Sequence, residues 1–284
     1  MSSLQVLPII KENRWSKIVD ALRVFSEFPF NRDRQRVAIM GLYPKKDEKS
    51  VFRGMVIPTL RQLGLILGRD NAIRLSANGM LIVVAQDRNN QEMMRVSRVV
   101  VDEIDRDKFS FLQILRRYTP GHGIAEDEFV HNVGSAYRNA GHAPIRERVR
   151  RWLRLLVDVG LVMEKDGMFA RHENSINAVR SEVGRADDIK VFERGFLSAY
   201  RSAAERFRGA VVDIAAVREI ASVTLYQRHD IVVTEGHFDE MLRKLLPASH
   251  DYVVSMGRPG SWKVKSFLYK TNFYRTIAIT SSGA

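Results

Sequence analysis

One pattern occurs twice in the chain and restricts its fold more than any other feature. Residues 59–83, TLRQLGLILGRDNAIRLSANGMLIV, lie over residues 154–173, RLLVDVGLVMEKDGMFARHE, with Leu63-Gly64-Leu65-Ile66 matching Val159-Gly160-Leu161-Val162. In each copy an apolar stripe at helical spacing stops at the glycine. Glycine adopts the left-handed conformation without a Cβ clash, so it ends a helix and redirects the chain. An apolar run, turn residues and a second run follow, which predicts two short strands. A chain assembled from such copies is mainly α with small β-wings.

The elements around the two copies also repeat in order. Residues 14–28 place Trp15, Ile18, Val19, Leu22, Phe25 and Phe28 near helical spacing, and Pro29 ends that helix. Asn31 is a candidate N-cap for a second helix. SVFRGMVIPTLRQLGLI, from Ser50, reads as a third, with Pro58 awkward inside it. LGRDNAIRLSANGMLIVVA is predicted to close this unit as two strands. KFSFLQILRRY, IAEDEFVHNVGSAYRNAG and PIRERVRRWLRLLVDV then read as three helices, and LVMEKDGMFARHE as strand, turn and strand. Between the units, Met93, Val96, Val100 and Ile104 stripe a connecting helix within residues 86–107. Residues 174–190 are polar and read as a linker. Residues 191–284 contain three helical patterns, with Asp213 and Thr234 as candidate caps, before YVVSMGRPGSWKVKSFLY, which reads as a hairpin turning at RPG.

Helix, helix, helix, glycine and two-stranded wing is an order that resembles the winged helix-turn-helix superfamily, over residues 14–85 and 108–173. Helices before a basic hairpin extend the resemblance to residues 191–284. The resemblance implies two tandem winged-helix domains, 1–85 and 108–173, and a third at 191–284. The third helix of such a domain commonly lies in the major groove of DNA, and its wing touches the backbone.

Charge points the same way. Lysine and arginine outnumber aspartate and glutamate by 45 to 33, for a net charge of +12. The excess is spread as +5, +4 and +3 over residues 1–105, 106–185 and 186–284, so no basic tail accounts for it. A globular protein charged this way is attracted to polyanions, of which nucleic acid is the commonest.

The densest charge is on the predicted helix opening at Pro144. Ile145, Val149, Trp152, Leu153 and Leu156 form its apolar face. Arg148, Arg151 and Arg154 recur every three residues around the opposite side, and Arg146 and Arg150 flank the stripe. The stretch itself supplies one acid, Glu147. Like charges at this spacing cost a few tenths of a kcal/mol per pair, roughly, unless an anion neutralises them. Arg146 and Arg150 are therefore expected to reach base edges, and Arg148 and Arg151 to meet phosphates. Arg258, Lys263, Lys265 and Lys270, with Trp262 and Tyr269 between them, are the candidate DNA contacts of the last hairpin. Arg53 and Arg61 are those of the first unit. The plain alternatives are a solvated charged face and lysines that guard an edge strand.

Other chemistry finds little footing. With no cysteine, the chain has no disulfide, thiol nucleophile or thiolate-bound zinc. The seven histidines show no metal-ligand spacing, and the phosphate-loop pattern is absent. No apolar run approaches the ~18 residues of a membrane span, and the N-terminus lacks the basic start of a signal peptide. The expectation is a cytoplasmic, nucleoid-associated, non-enzymatic protein that binds double-stranded DNA without a cofactor. It would act as the DNA-recognition subunit of a larger restriction or phage-defence complex, with protein subunits as partners, or as a transcription regulator. The competing expectation is a winged-helix protein scaffold in a chromosome-organising complex.

Overall fold

The computed structural model describes residues 8–68, 72–117, 123–136, 142–247, 252–258 and 266–281. They are mainly helical with small antiparallel sheets and divide into two compact units, residues 1–180 and 181–284. No helix among them is long and apolar enough to cross a membrane.

The first unit opens with α1 (Trp15–Glu27), which buries Trp15, Ile18, Leu22 and Phe25. The Asn31 side chain accepts from the Arg34 N–H at 3.2 Å and caps α2 (Arg32–Gly41). Pro58 is accommodated by a change of winding: Lys49–Val56 is π-helical and runs into α3 (Ile57–Gln62). Proline lacks an N–H and crowds the carbonyl four residues back, and the wider turn ahead of it absorbs that misfit. Asp47 rather than Ser50 supports the opening of the segment, accepting from the Ser50 N–H at 2.8 Å.

Both repeated glycines are left-handed, with φ of 73° at Gly64 and 76° at Gly160. Leu65 N–H closes on Leu60 C=O at 2.9 Å and Leu161 N–H on Leu156 C=O at 2.9 Å, the same helix-ending bond in each copy. In the first copy β1 (Ile66–Leu67) pairs with β2 (Arg74–Leu75). The second predicted strand is much shorter than the sequence pattern suggests. The apolar run after it is α4 (Ala77–Arg88), capped by Ser76, whose hydroxyl accepts from the Gly79 N–H at 3.2 Å. Leu81, Ile82, Val83 and Ala85 are all buried, so the run shows no amphipathic period that would separate helix from strand. α5 (Asn90–Ile104) follows, the helix that the apolar stripe predicts: Met93, Val96, Val100 and Ile104 are buried, and Ser97 accepts from the Trp15 indole N–H at 2.9 Å. The sequence boundaries at 85 and 107 thus fall inside one compact unit.

The helix predicted from Lys108 breaks at Ser110, where φ is 58°. It resumes as α6 (Phe111–Leu115), with the buried Asp105 carboxylate accepting from Phe111 and Leu112 N–H at 3.1 and 2.8 Å. β3 (Ile124–Ala125), α7 (Glu126–Ala136), α8 (His142–Asp158), β4 (Val162–Lys165) and β5 (Met168–Arg171) complete the second copy. β5 lies between β3 and β4. Asp166 and Gly167 make its tight turn with φ of 53° and 75°. The predicted linker at 174–190 is largely helical: α9 (Glu173–Arg185) buries Ile176 and Val179.

The second unit repeats that order. α10 (Ile189–Phe207), β6 (Val212–Asp213), α11 (Ile214–His229) and α12 (Glu235–Leu245) precede β7 (Tyr252–Gly257), β8 (Phe267–Tyr269), β9 (Asn272–Tyr274) and β10 (Thr276–Ser281). Asp213 and Thr234 cap α11 and α12. The sheet order is β6-β10-β7, with the last strand again between the first and the middle one. The predicted hairpin is redrawn: β7 pairs with β10 from Tyr252↔Ser281 to Gly257↔Thr276, and β8–β9 is a smaller hairpin between them. Phe267, fully buried among Phe238, Leu242 and other core residues, holds β8 against the helices, so it is not free to partner β7.

Candidate nucleic-acid interface

α8 carries the densest positive charge, and its apolar face sets which way that charge points. Ile145, Val149, Trp152, Leu153 and Leu156 are buried as their spacing predicts. The Trp152 indole N–H donates to Asp105 at 2.7 Å, and its ring meets Phe109 edge-on at a centroid distance of 4.7 Å. With that face fixed, Arg146, Arg150 and Arg154 line up one turn apart, with side chains 54%, 46% and 46% exposed.

The fold supplies counter-charges that the local sequence does not. Arg146 reaches Asp127 at 2.7 Å and Glu126 at 3.7 Å; Arg150 reaches Glu126 at 2.7 Å. Arg154 pairs with Glu164 on β4, and Arg151 with Glu147 at 2.7 Å. The Arg150 guanidinium, with Arg146 and Arg154 nearby, holds the Glu126 carboxyl below its ordinary range. The like-charge repulsion read from the helix alone is thus answered within the protein. Among the described residues Arg148 makes no ion pair, and it is half-buried.

Arg151 is also engaged within the fold. It donates to the Ile10 carbonyl at 3.1 Å, tying the N-terminal segment to α8. It also lines a recess of ≈ 290 Å³ with Lys11, Lys46, Ser50 and Gly54.

The remaining candidates are dispersed. Arg53 is exposed on the π-helical segment, and Arg61 donates to the Gly68 carbonyl at 3.2 Å, bridging α3 to the end of β1. Arg258 follows β7 and donates to the Asn272 side-chain oxygen at 3.5 Å. Lys270 sits exposed in the β8–β9 turn with φ of 53° and its ammonium 5.6 Å from the Tyr269 ring. Lys263, Lys265 and Trp262 lie outside the described residues. The third helix of the second unit is not a basic face. On α12, Asp239 pairs with the buried Arg218 at 2.6 Å and Lys244 with Glu240 at 3.0 Å.

The acidic partners Glu126, Asp127 and Glu164 escape a sequence reading because they come from α7 and β4. The one local signal is the acidic first turn of α7, EDE at 126–128, which also suits the positive end of a helix. Among the described residues no three histidine, aspartate or glutamate side chains are grouped to hold a metal ion. Comparison with protein-family models, curated proteins and solved structures finds no match to the chain.

Proposed function

We propose that this chain binds double-stranded DNA through winged-helix modules, with α8 as the principal contact. One observation carries the reading. In the order helix, strand, helix, helix, strand, strand, with the last strand between the other two, α8 is third among the helices counted from α6, and it bears the exposed row Arg146, Arg150, Arg154. The carboxylates on that row do not argue against it. Exposed ion pairs contribute only about 0–1 kcal/mol each, and a duplex offers phosphates at high density, whose contacts are favoured by counterion release. Arginine suits the exchange, since its fork takes carboxylate and phosphate in the same two-point geometry. The role that follows is recognition within a larger defence or restriction complex, or transcription regulation, with no chemistry performed by the chain itself.

Fluorescence-anisotropy titration of a labelled duplex over a salt series tests the reading. Affinity should fall with salt with a log–log slope of several units, and replacing Arg146, Arg150 and Arg154 together with glutamine should flatten it. A parent protein that does not shift the anisotropy at low salt sinks the proposal.

A scaffold role has one observation in its favour. Leu268 and Phe273, directly opposite on β8–β9, are 39% and 42% exposed. Contiguous exposed apolar area marks protein-binding surfaces when it extends to several hundred Å², roughly, and this pair would form part of such a patch.

A further inference from the structure

A second cationic site lies in the first unit and shares no residue with the α8 row. It is a cleft of ≈ 380 Å³ between the end of α5, α6, β5 and α9, with four arginines on its walls: Arg106, Arg116, Arg171 and Arg180. Two aspartates line it. Asp105 is committed to the Trp152 indole and two backbone N–H groups. Asp102, pushed up by burial, faces Arg106 at 3.8 Å.

Arg171 is the centre of the site. Its side chain is only 8% exposed, and its Nε is buried with no hydrogen-bond partner. The guanidinium is anchored at one edge alone, by Glu173 at 3.3 Å, and Glu173 is itself 44% exposed. Burial draws the Arg171 guanidinium below its ordinary range, and Arg180 and Arg116 act in the same direction. Among the described residues neither the Arg116 nor the Arg180 side chain makes a hydrogen bond or ion pair. A buried donor without an acceptor is rare in folded proteins. Four guanidiniums against two carboxylates on the walls favour an anion as that acceptor.

We infer that this cleft binds a small phosphomonoester, its phosphate taken by Arg171 with Arg116 and Arg180 and its organic part laid against Leu112 and Ile176. A dianionic group matches several converging guanidinium forks. The volume exceeds that of a lone phosphate and falls in the range of small-molecule pockets.

Calorimetric titration of the full chain with inorganic phosphate and with ribose 5-phosphate tests the inference. Both should bind saturably, ribose 5-phosphate the tighter. Replacing Arg116 and Arg180 with glutamine, both exposed and therefore tolerated by the fold, should weaken each at least tenfold. Arg171→Gln should abolish binding, with circular dichroism reporting whether it folds. The Arg146, Arg150, Arg154 glutamine variant should bind ribose 5-phosphate like the parent, which separates this site from the DNA reading. No saturable heat with the parent, or unchanged binding by R116Q/R180Q, overturns the inference. So does a result in which R116Q/R180Q weakens only duplex DNA, since the cleft would then hold a backbone phosphate.

Discussion

At the scale of single residues, the arginines of α8 are held in check by carboxylates, and that has a measurable consequence. Glu126 and Asp127 compete with phosphate for Arg146 and Arg150. Glu126→Gln combined with Asp127→Asn should therefore raise affinity for duplex DNA several-fold at low salt. A fall in affinity would mean that the pairs pre-order the arginines rather than occupy them. Asp105 gives a second residue-scale prediction. Burial pushes its carboxyl up to about 6, against the N–H groups of Trp152, Leu112 and Phe111, which favour the ionised form. A folded value above the unfolded one means that the protonated group stabilises the fold below about pH 4, and that this contribution fades as pH rises to about 6, a change on the order of 3 kcal/mol. Asp105→Asn cannot titrate, so its stability relative to the parent should improve by about that amount between pH 4 and pH 7. Urea unfolding at both values measures it, and parallel curves would remove Asp105 as the titrating group.

At the scale of elements, close packing and buried polar contacts decide which helices can meet. α10 approaches α11 at Gly195, where a Cβ would stand 2.6 Å from Leu225 Cδ2. Gly195→Ala should force the Leu225 side chain out of its packed position and cost about 1–3 kcal/mol, read as a lower denaturation midpoint at unchanged slope. Trp152 joins α8 to the Asp105 turn by packing and a hydrogen bond together. Trp152→Ala should cost about 3–5 kcal/mol, whereas Arg150→Ala on the same helix should stay within about 0.5 kcal/mol. Element identity was legible wherever a cap or a period marked it. Asn31, Asp213 and Thr234 cap helices as their positions foretold. α4 was misread because burial on all sides erases the period, and α9 because only Ile176 and Val179 mark its apolar face in a polar stretch.

At the scale of the whole molecule, the chain has two compact units, each with its own core. The second is built on Phe192, Phe196, Phe238 and Phe267. Two units imply unfolding that need not be a single two-state transition. Calorimetry should resolve two transitions, with Trp152→Ala lowering one and Phe196→Ala the other, each through a cavity costing about 3–5 kcal/mol. One transition lowered by both substitutions would show that the units unfold together.

By itself the sequence determined the mainly helical class, the glycine-ended helices with their small sheets, the buried face of α8 and the basic character of the surface. Each of these follows from local rules of conformational freedom, periodicity and composition that need no distant residue. Only the tertiary structure decided which strand partners β7, because the choice depends on burying Phe267. It alone decided that Glu126, Asp127 and Glu164 neutralise the α8 arginines. It alone gathered Arg116, Arg171 and Arg180 around one cleft. Electrostatic partners are chosen by distance in space, and charges from separate elements become neighbours only when the core packs.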